Sequence, residues 1–155
     1  MKEPALFSPF QIKSKTLRNR VVLSPMCQYK AQNGIVSDWH FQHYSRFAFS
    51  GLGAAFIEAT GVSQDGRIGH GCTGIWDDLH VRGLSKIVEV FKQYNCVSGI
   101  QLAHAGRKAS FLRPWDGASP ITKDDKKEPS WQTMGPSAIP INNHSPVPKA
   151  MTTEE

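Results

Sequence analysis

The chain has 155 residues and carries 18 Lys and Arg against 13 Asp and Glu, a formal net charge of +5. Hydrophobic residues make up 39% of the chain and charged residues 20%, a balance that excludes an intrinsically disordered protein and suits one folded domain. The positive charge favours anionic partners, but no recognition motif accompanies it. A nucleic-acid-binding domain therefore rests on charge alone, and we expect no nucleic-acid partner.

The cysteine pattern and the N-terminus bear on location. Cys27, Cys72 and Cys96 lie far apart and include no Cys-x-x-Cys pair, so neither a disulfide framework nor a zinc ribbon is indicated. The N-terminus leads into no apolar signal segment, and no stretch approaches the roughly 18 apolar residues that span a membrane. We therefore expect a cytoplasmic protein without a membrane partner.

The first predicted elements are a hairpin, a strand and a helix. Apolar residues on both sides of a polar turn at 13–15 predict an entry hairpin within 1–19. A strand over 20–23 stops at Pro25, because proline cannot donate to a sheet ladder. Ser37 or Asp38 is placed to cap a helix, which Gly51 should end.

The remaining elements alternate in the same way. An apolar run over 54–57, interrupted by Glu58 and closed at 59–61, predicts a second strand buried on both faces. A glycine-rich loop leads to an amphipathic helix that ends near Asn95, and 97–103 forms the third strand. The proline-rich remainder predicts a long loop with room for a short hairpin. This alternation indicates an α/β fold with a parallel sheet and right-handed crossovers.

The last residues carry a helix-start pattern. Thr152 and Glu155 have the spacing of a capping box, in which two side chains satisfy the free N–H groups of a helix N-terminus. Because the chain stops there, we expect the sequence to be the front portion of a longer protein. A frayed tail without structural meaning is the alternative.

Polar and reactive residues follow all three predicted strands. The carboxyl ends of parallel strands meet at one edge of a sheet, where ligands bind in α/β folds. The sequence therefore predicts a site at this edge. The residues concerned are Ser24, Met26, Cys27, Glu58, Ala59, Thr60, Gln101 and His104.

Gln101 and Cys27 are the most informative of these. Strand alternation places Gln101 on one face with Gly99 and Ala103, leaving room for a flat ring such as a flavin pyrimidine, which pairs with both groups of a carboxamide. Satisfaction by neighbouring backbone is the alternative. Cys27 could be a nucleophile, a metal ligand, a soft contact to an electron-rich ring or a buried apolar residue, and taken singly the last is favoured.

Two other patterns are weaker. His40 and His43 share a helix, but no Cys, Asp or Glu at ligand spacing completes a metal site, so no metal is expected. The pair Gly51 and Gly53 precedes its strand instead of following it, and no phosphate-loop motif exists. A nicotinamide-binding Rossmann domain is therefore disfavoured.

Several motifs in order carry a family resemblance over nearly the whole chain. They lie at 24–29 (SPMCQY), 58–60 (EAT), 74–76 (GIW) and 101–108 (QLAHAGRK), with supporting matches at 6–10, 17–20 and 136–140. With these motifs the chain resembles the Old Yellow Enzyme family, in its cysteine-bearing branch of FMN-dependent, NAD(P)H-oxidising ene-reductases.

The resemblance implies the N-terminal part of a TIM (β/α)8 barrel. The chain is then expected to form one incomplete domain, 1–155. This domain would consist of an entry hairpin (1–19), three barrel strands with two helices (20–107) and a long loop running to a helix start (108–155). A complete TIM barrel needs at least about 200 residues, so only about three of its eight strands are expected here.

The resemblance also implies a chemistry. FMN would lie across the carboxyl ends of the strands, take hydride from NADPH or NADH and pass it to an activated alkene such as an enone. Tyr29 would face the substrate, Cys27 would tune the flavin, and Gln101 would hydrogen-bond its pyrimidine edge. His104 and Arg107 would be supporting residues. The full flavin-lining set is Ser24, Pro25, Met26, Cys27, Ala59 and Gln101.

The family's remaining site elements lie further along the chain than residue 155. These are a His-x-x-His or His-x-x-Asn pair that polarises the substrate carbonyl, a proton-donating tyrosine and the phosphate-binding loops. Two interpretations follow: the front half of a functional ene-reductase, or a non-catalytic truncated chain that acts as an interaction module through its unpaired sheet edges. A homo-oligomer is compatible with either.

Overall fold

The computed structural model describes residues 4–125 and 128–154. An antiparallel hairpin of β1 (Phe10–Ile12) and β2 (Lys15–Leu17) precedes the main sheet, as predicted. Arg18 Nε donates to the carbonyl of Leu52 at 3.1 Å, and Asn19 Nδ2 donates to the carbonyl of Gly51 at 2.7 Å. These bonds tie the hairpin to the loop that leads into the central strand.

The main sheet is parallel throughout. Its central strand, β4 (Ala54–Gly61), pairs with β3 (Val22–Leu23) and β5 (Thr73–Gly74) on one edge and with β6 (Val97–Ala103) on the other. The three predicted strands are confirmed, although β3 is shorter than predicted. β5 was not predicted, and it lies within the glycine-rich loop.

Two helices cover one face of this sheet. α1 (Asp38–Ala48) has Ser37 as its N-cap, and the Ser37 N–H donates to His40 Nδ1 at 3.0 Å. α1 ends before Gly51, which takes a left-handed φ of +95° and redirects the chain. α2 (Val81–Gln93) ends two residues before Asn95, close to its predicted end. Both predicted helices are therefore confirmed.

The hydrophobic core lies between the helices and β4. It is formed by buried residues from α1, β4 and α2 and by the residue just before β6, namely Tyr44, Ala48, Ala55, Ile57, Leu84, Ile87, Phe91 and Cys96. The other sheet face is open in the part of the chain that the structure describes. Phe56 on that face is 39% exposed, so the prediction that β4 is buried on both faces is wrong at this residue.

The segment after β6 is irregular, with 3-10 turns at Gly106–Lys108 and Pro114–Asp116. β7 (Met134–Gly135) and β8 (Lys149–Ala150) form a two-residue parallel ladder. A hairpin has antiparallel strands, so this pair is not the short hairpin considered for this loop. The predicted capping box includes Glu155, which lies outside the described residues. Among the described residues, no helix combines the length and the apolar character needed to cross a bilayer.

Candidate functional site

The predicted site residues meet at the carboxyl edge of the main sheet. Segment 24–29 leaves β3, Ala59 lies near the end of β4, and Gln101 lies in β6. Ser24 and Met26 are exposed, whereas Pro25, Cys27 and Tyr29 are half-buried. They share this edge because parallel strands place their carboxyl ends together.

A β-bulge at Glu58 sets the register of this edge. Ile57 pairs with Ile100, but the next pair along the ladder is Ala59 with Gln101, so Glu58 is an extra residue in β4. Such a bulge turns the side chain of the inserted residue away from the regular alternation. As a result, Ala59 and Gln101 stand side by side, and Glu58 points into the protein, where it is fully buried.

The Gln101 carboxamide is exposed and unpaired. None of the residues that the structure describes hydrogen-bonds it, so the alternative in which neighbouring backbone satisfies it is wrong. Gln101 shares a sheet face with Gly99, and Gly99 lies against the ring of the exposed Phe56. The carboxamide therefore offers a free donor and a free acceptor beside an open apolar face.

Cys27 is a thiol that stays neutral at physiological pH. Burial, with a smaller contribution from the nearby Cys72 and Glu58, raises its pKa from 9.0 to about 11. The backbone of Ala59 acts in the opposite direction, which places the sulfur near the end of β4. Because the thiolate is the nucleophile, this environment disfavours a nucleophilic role and suits a weak hydrogen-bond donor.

Tyr29 lies next to this thiol in a left-handed backbone conformation, with φ of +54°. Its ring packs edge-on against Trp115, with 5.8 Å between the ring centroids. Burial raises the pKa of Tyr29 to about 12, so the phenol is protonated at neutral pH. The sequence analysis missed Trp115, because only the fold brings this distant loop residue to the site.

His40 and His43 lie on α1 but have different surroundings. His40 is buried against Glu58, while the ring of His43 packs on Tyr44 and Phe47. Within residues 4–125 and 128–154, no group of three or more His, Cys, Asp or Glu side chains is arranged to hold a metal ion.

His104 and Arg107 shape the loop that leaves β6. His104 Nδ1 accepts the backbone N–H of Gly106 at 3.1 Å, and its ring packs against Gly66. Arg107 Nη1 donates to the carbonyl of Ile139 at 3.4 Å. Both side chains are exposed at the same edge, so they are available to a ligand bound there.

The sequence matches known proteins along its whole length. The profile of the NADH:flavin oxidoreductase / NADH oxidase family matches residues 5–155. An NADPH dehydrogenase of Geobacillus thermodenitrificans is 42% identical over 149 residues, which cover 95% of this chain and 38% of that protein. An NADPH dehydrogenase of Listeria monocytogenes serotype 4a is 38% identical over 151 residues, which cover 96% of this chain and 39% of that protein. The chain thus spans about two-fifths of the length of these relatives.

Solved structures share the fold. Morphinone reductase superposes with a TM-score of 0.77 at 23% identity, covering 99% of this chain and 41% of that one. The old yellow enzyme from Trypanosoma cruzi gives a TM-score of 0.76 at 23% identity, and the match covers 97% of this chain and 43% of that one. These neighbours are TIM barrels, so the predicted fold, a partial (β/α)8 barrel, is confirmed. The chain belongs to the NADH:flavin oxidoreductase / NADH oxidase family, and its resemblance to the Old Yellow Enzyme family is confirmed.

Proposed function

We propose that this chain provides the front half of the flavin site of an FMN-dependent oxidoreductase, which takes hydride from NADPH and reduces activated alkenes such as enones. NADH is the alternative reductant. The observation that carries the proposal is the register of the β4–β6 ladder, which sets Ala59 directly beside the Gln101 carboxamide at the sheet edge where segment 24–29 leaves β3. The family and the name of the relatives, NADPH dehydrogenase, support the cofactor pair.

The residues at this edge suit a flavin. Its pyrimidine ring presents donors and acceptors in one plane, which the free Gln101 carboxamide can match. Ala59 has only a methyl group, and the exposed Met26 and Phe56 offer apolar surface to the flat ring system. Bound FMN would supply the hydride chemistry, for which amino-acid side chains have no equivalent.

Each residue then has a specific role in the proposal. Ser24, Pro25 and Met26 line the ring. The neutral Cys27 thiol donates weakly toward the flavin and tunes its reduction potential through local polarity. Tyr29 lies on the substrate side, where its protonated phenol can donate a hydrogen bond to a small-molecule substrate.

Flavin absorbance tests this proposal directly. After FMN is added and the mixture is passed through gel filtration, the purified chain is expected to retain a flavin absorbance band at about 450 nm. FMN binding should also produce a measurable change in fluorescence. Anaerobic NADPH should bleach the band, and an enone such as cyclohexenone should restore it. A colourless protein would contradict the flavin site, whereas retained FMN that NADPH does not bleach would contradict only the reduction step.

The exposed sheet edge favours a second candidate, a non-catalytic interaction module. Within the described residues β6 pairs only with β4, and its Leu102 is 62% exposed. A groove of about 410 Å³ beside it is lined by Val81 and Val88 of α2 and by Ile100. Unpaired edges bind other strands. Light scattering distinguishes the two candidates, since a colourless protein with the mass of a dimer or larger complex would favour the module.

We also propose a cytoplasmic location. Cys27, Cys72 and Cys96 are all free thiols, although Cys27 and Cys72 lie close enough to affect each other's ionisation. Unpaired cysteines of this kind suit a reducing compartment. Detection of the chain in the soluble fraction after cell disruption would support this location, and its recovery in a membrane or secreted fraction would contradict it.

A further inference from the structure

Glu58 is a charged residue in an unusual place. Its side chain is fully buried, and the only basic side chain within ion-pair distance among the described residues is His40, which is also fully buried. An isolated buried carboxylate is strongly unfavourable, and it persists only where hydrogen-bond donors surround it. The identity of those donors shows what Glu58 does.

One donor and one close polar contact come from α1. The Tyr44 hydroxyl lies 3.4 Å from Glu58 Oε1, and the same hydroxyl accepts the Glu58 backbone N–H at 2.8 Å. His40 Nε2 lies 3.3 Å from Oε1. His40 Nδ1 accepts the Ser37 N–H, so Nε2 is the ring nitrogen that faces the carboxylate. α1 therefore holds both the bulge and the side chain of Glu58.

The other donor belongs to the site. The backbone N–H of Gln28 donates to Glu58 Oε2 at 2.8 Å. Gln28 lies between Cys27 and Tyr29, and Tyr29 has a left-handed backbone conformation that its surroundings must hold in place. The shortest hydrogen bond of the buried carboxylate thus goes to the middle of the turn that carries the two candidate site residues.

We propose that Glu58 is a positioning residue, whose carboxylate, anchored on α1 by His40 and Tyr44, holds the Cys27–Tyr29 turn against the end of β4 in the orientation that the flavin site requires. This inference rests on the proposed function for the role of the turn. The anchoring itself involves only residues of this chain, so it can be measured without flavin.

The substitution Glu58→Gln tests the anchoring with almost no change in side-chain size. The Gln28 N–H and the Tyr44 hydroxyl both donate to the carboxylate, and His40 Nε2 faces it, so Glu58→Gln replaces one acceptor oxygen by an NH₂ donor and weakens this set of contacts. The readout is the rate of iodoacetamide alkylation of each cysteine, resolved by peptide mass spectrometry. We expect Cys27 alkylation to become about tenfold faster, in line with the loss of a buried hydrogen bond to a charged group.

Cys96 provides the internal control, because it is 3% exposed in the core and remote from the turn in sequence. Its rate should not change in Glu58→Gln. The matched variant Glu128→Gln removes a carboxylate that pairs with Arg113 at 2.8 Å in another loop, and it should leave Cys27 unchanged. An unchanged Cys27 rate in Glu58→Gln, or an equal rise at Cys96, would overturn the proposal.

Tyr44→Phe keeps the test valid if Glu58→Gln does not fold. It retains the core ring and removes only the hydroxyl, so a smaller rise at Cys27 with constant Cys96 is expected, and no rise would contradict the anchoring. FMN titration of the same proteins separates the two proposals. If the unsubstituted chain binds no FMN, the proposed function fails, while selective exposure of Cys27 still supports the positioning role.

Discussion

Ala59 and Gln101 stand directly opposite each other in the ladder of β4 and β6, although the pair before them is Ile57 with Ile100. The extra residue, Glu58, makes this possible. One irregularity in β4 therefore does two things: it brings a small residue beside the free carboxamide, and it directs a carboxylate inward toward the turn that carries Cys27.

Replacement of Gln101 by Leu should weaken flavin binding without loss of stability. The carboxamide is exposed and unpaired among the described residues, so its removal leaves no buried group without a partner. We expect about tenfold weaker FMN binding by fluorescence titration, and a change in the unfolding free energy below about 0.5 kcal/mol. Gln93→Leu, at the exposed end of α2, is the matched control and should not affect FMN binding. Equal affinity in both variants would remove Gln101 from the site.

The raised pKa of Cys27 predicts how its reactivity and the protein's stability depend on pH. Alkylation of Cys27 in the native protein should increase up to about pH 11, whereas in the unfolded chain it should level off near the ordinary pKa of 9.0. Between these values the folded state holds a proton that the unfolded state has lost. The stability contribution is therefore complete below about pH 9 and is lost as the pH rises through about 11.

Cys27→Ser tests this linkage. The pKa values of Tyr29 and Cys72 are also raised, so these groups contribute to the pH dependence of stability in the alkaline range. Comparison with the variant separates the contribution of Cys27 from theirs. Urea unfolding at a series of pH values should show a smaller loss of stability with rising pH in the variant than in the unsubstituted protein. Identical pH dependence in the two proteins would show that the Cys27 thiol has the same pKa folded and unfolded.

The sequence was sufficient for the elements whose signals are local. Pro25 ends the first strand, Ser37 caps α1, and the spacing of Leu84, Ile87 and Phe91 marks the buried face of α2. In each case neighbouring residues carry the physical cause: a missing N–H group, a side-chain cap or a helical period.

The missed features depend on contacts between distant parts of the chain. β5 is only two residues long, and it is a strand because Thr73 pairs with Thr60 of β4. Likewise, Glu58 interrupts an apolar run in the sequence, and its partners on α1 become visible only in the fold. The family resemblance carried the site prediction further than periodicity could, since residue spacing alone left several roles open for Cys27.

Phe91 should be among the most sensitive positions in the core. It is fully buried, and its ring packs against that of Tyr44, with 6.0 Å between the centroids. Phe91→Ala should lower the unfolding free energy by about 3 to 5 kcal/mol through lost burial and the cavity left behind. Chemical denaturation followed by tryptophan fluorescence measures this. Leu79→Ala, at a residue 71% exposed, should change stability by less than about 1 kcal/mol. Comparable losses in the two variants would contradict the assignment of the core.

The approach of the entry hairpin to the central strand depends on Gly53. A methyl group at this position would collide with the backbone carbonyl of Asn19, which cannot move freely because Asn19 Nδ2 is bonded to the carbonyl of Gly51. Gly53→Ala should therefore lower the free energy of unfolding by about 1 to 3 kcal/mol, as overpacking against backbone does.

Gly135→Ala is the matched control, because its added methyl would meet only ordinary van der Waals contacts. Hydrogen exchange of β1 and β2 locates the effect: these amides should exchange faster in Gly53→Ala alone. Unchanged exchange in the hairpin would show that the chain closes around the added methyl without displacing Asn19.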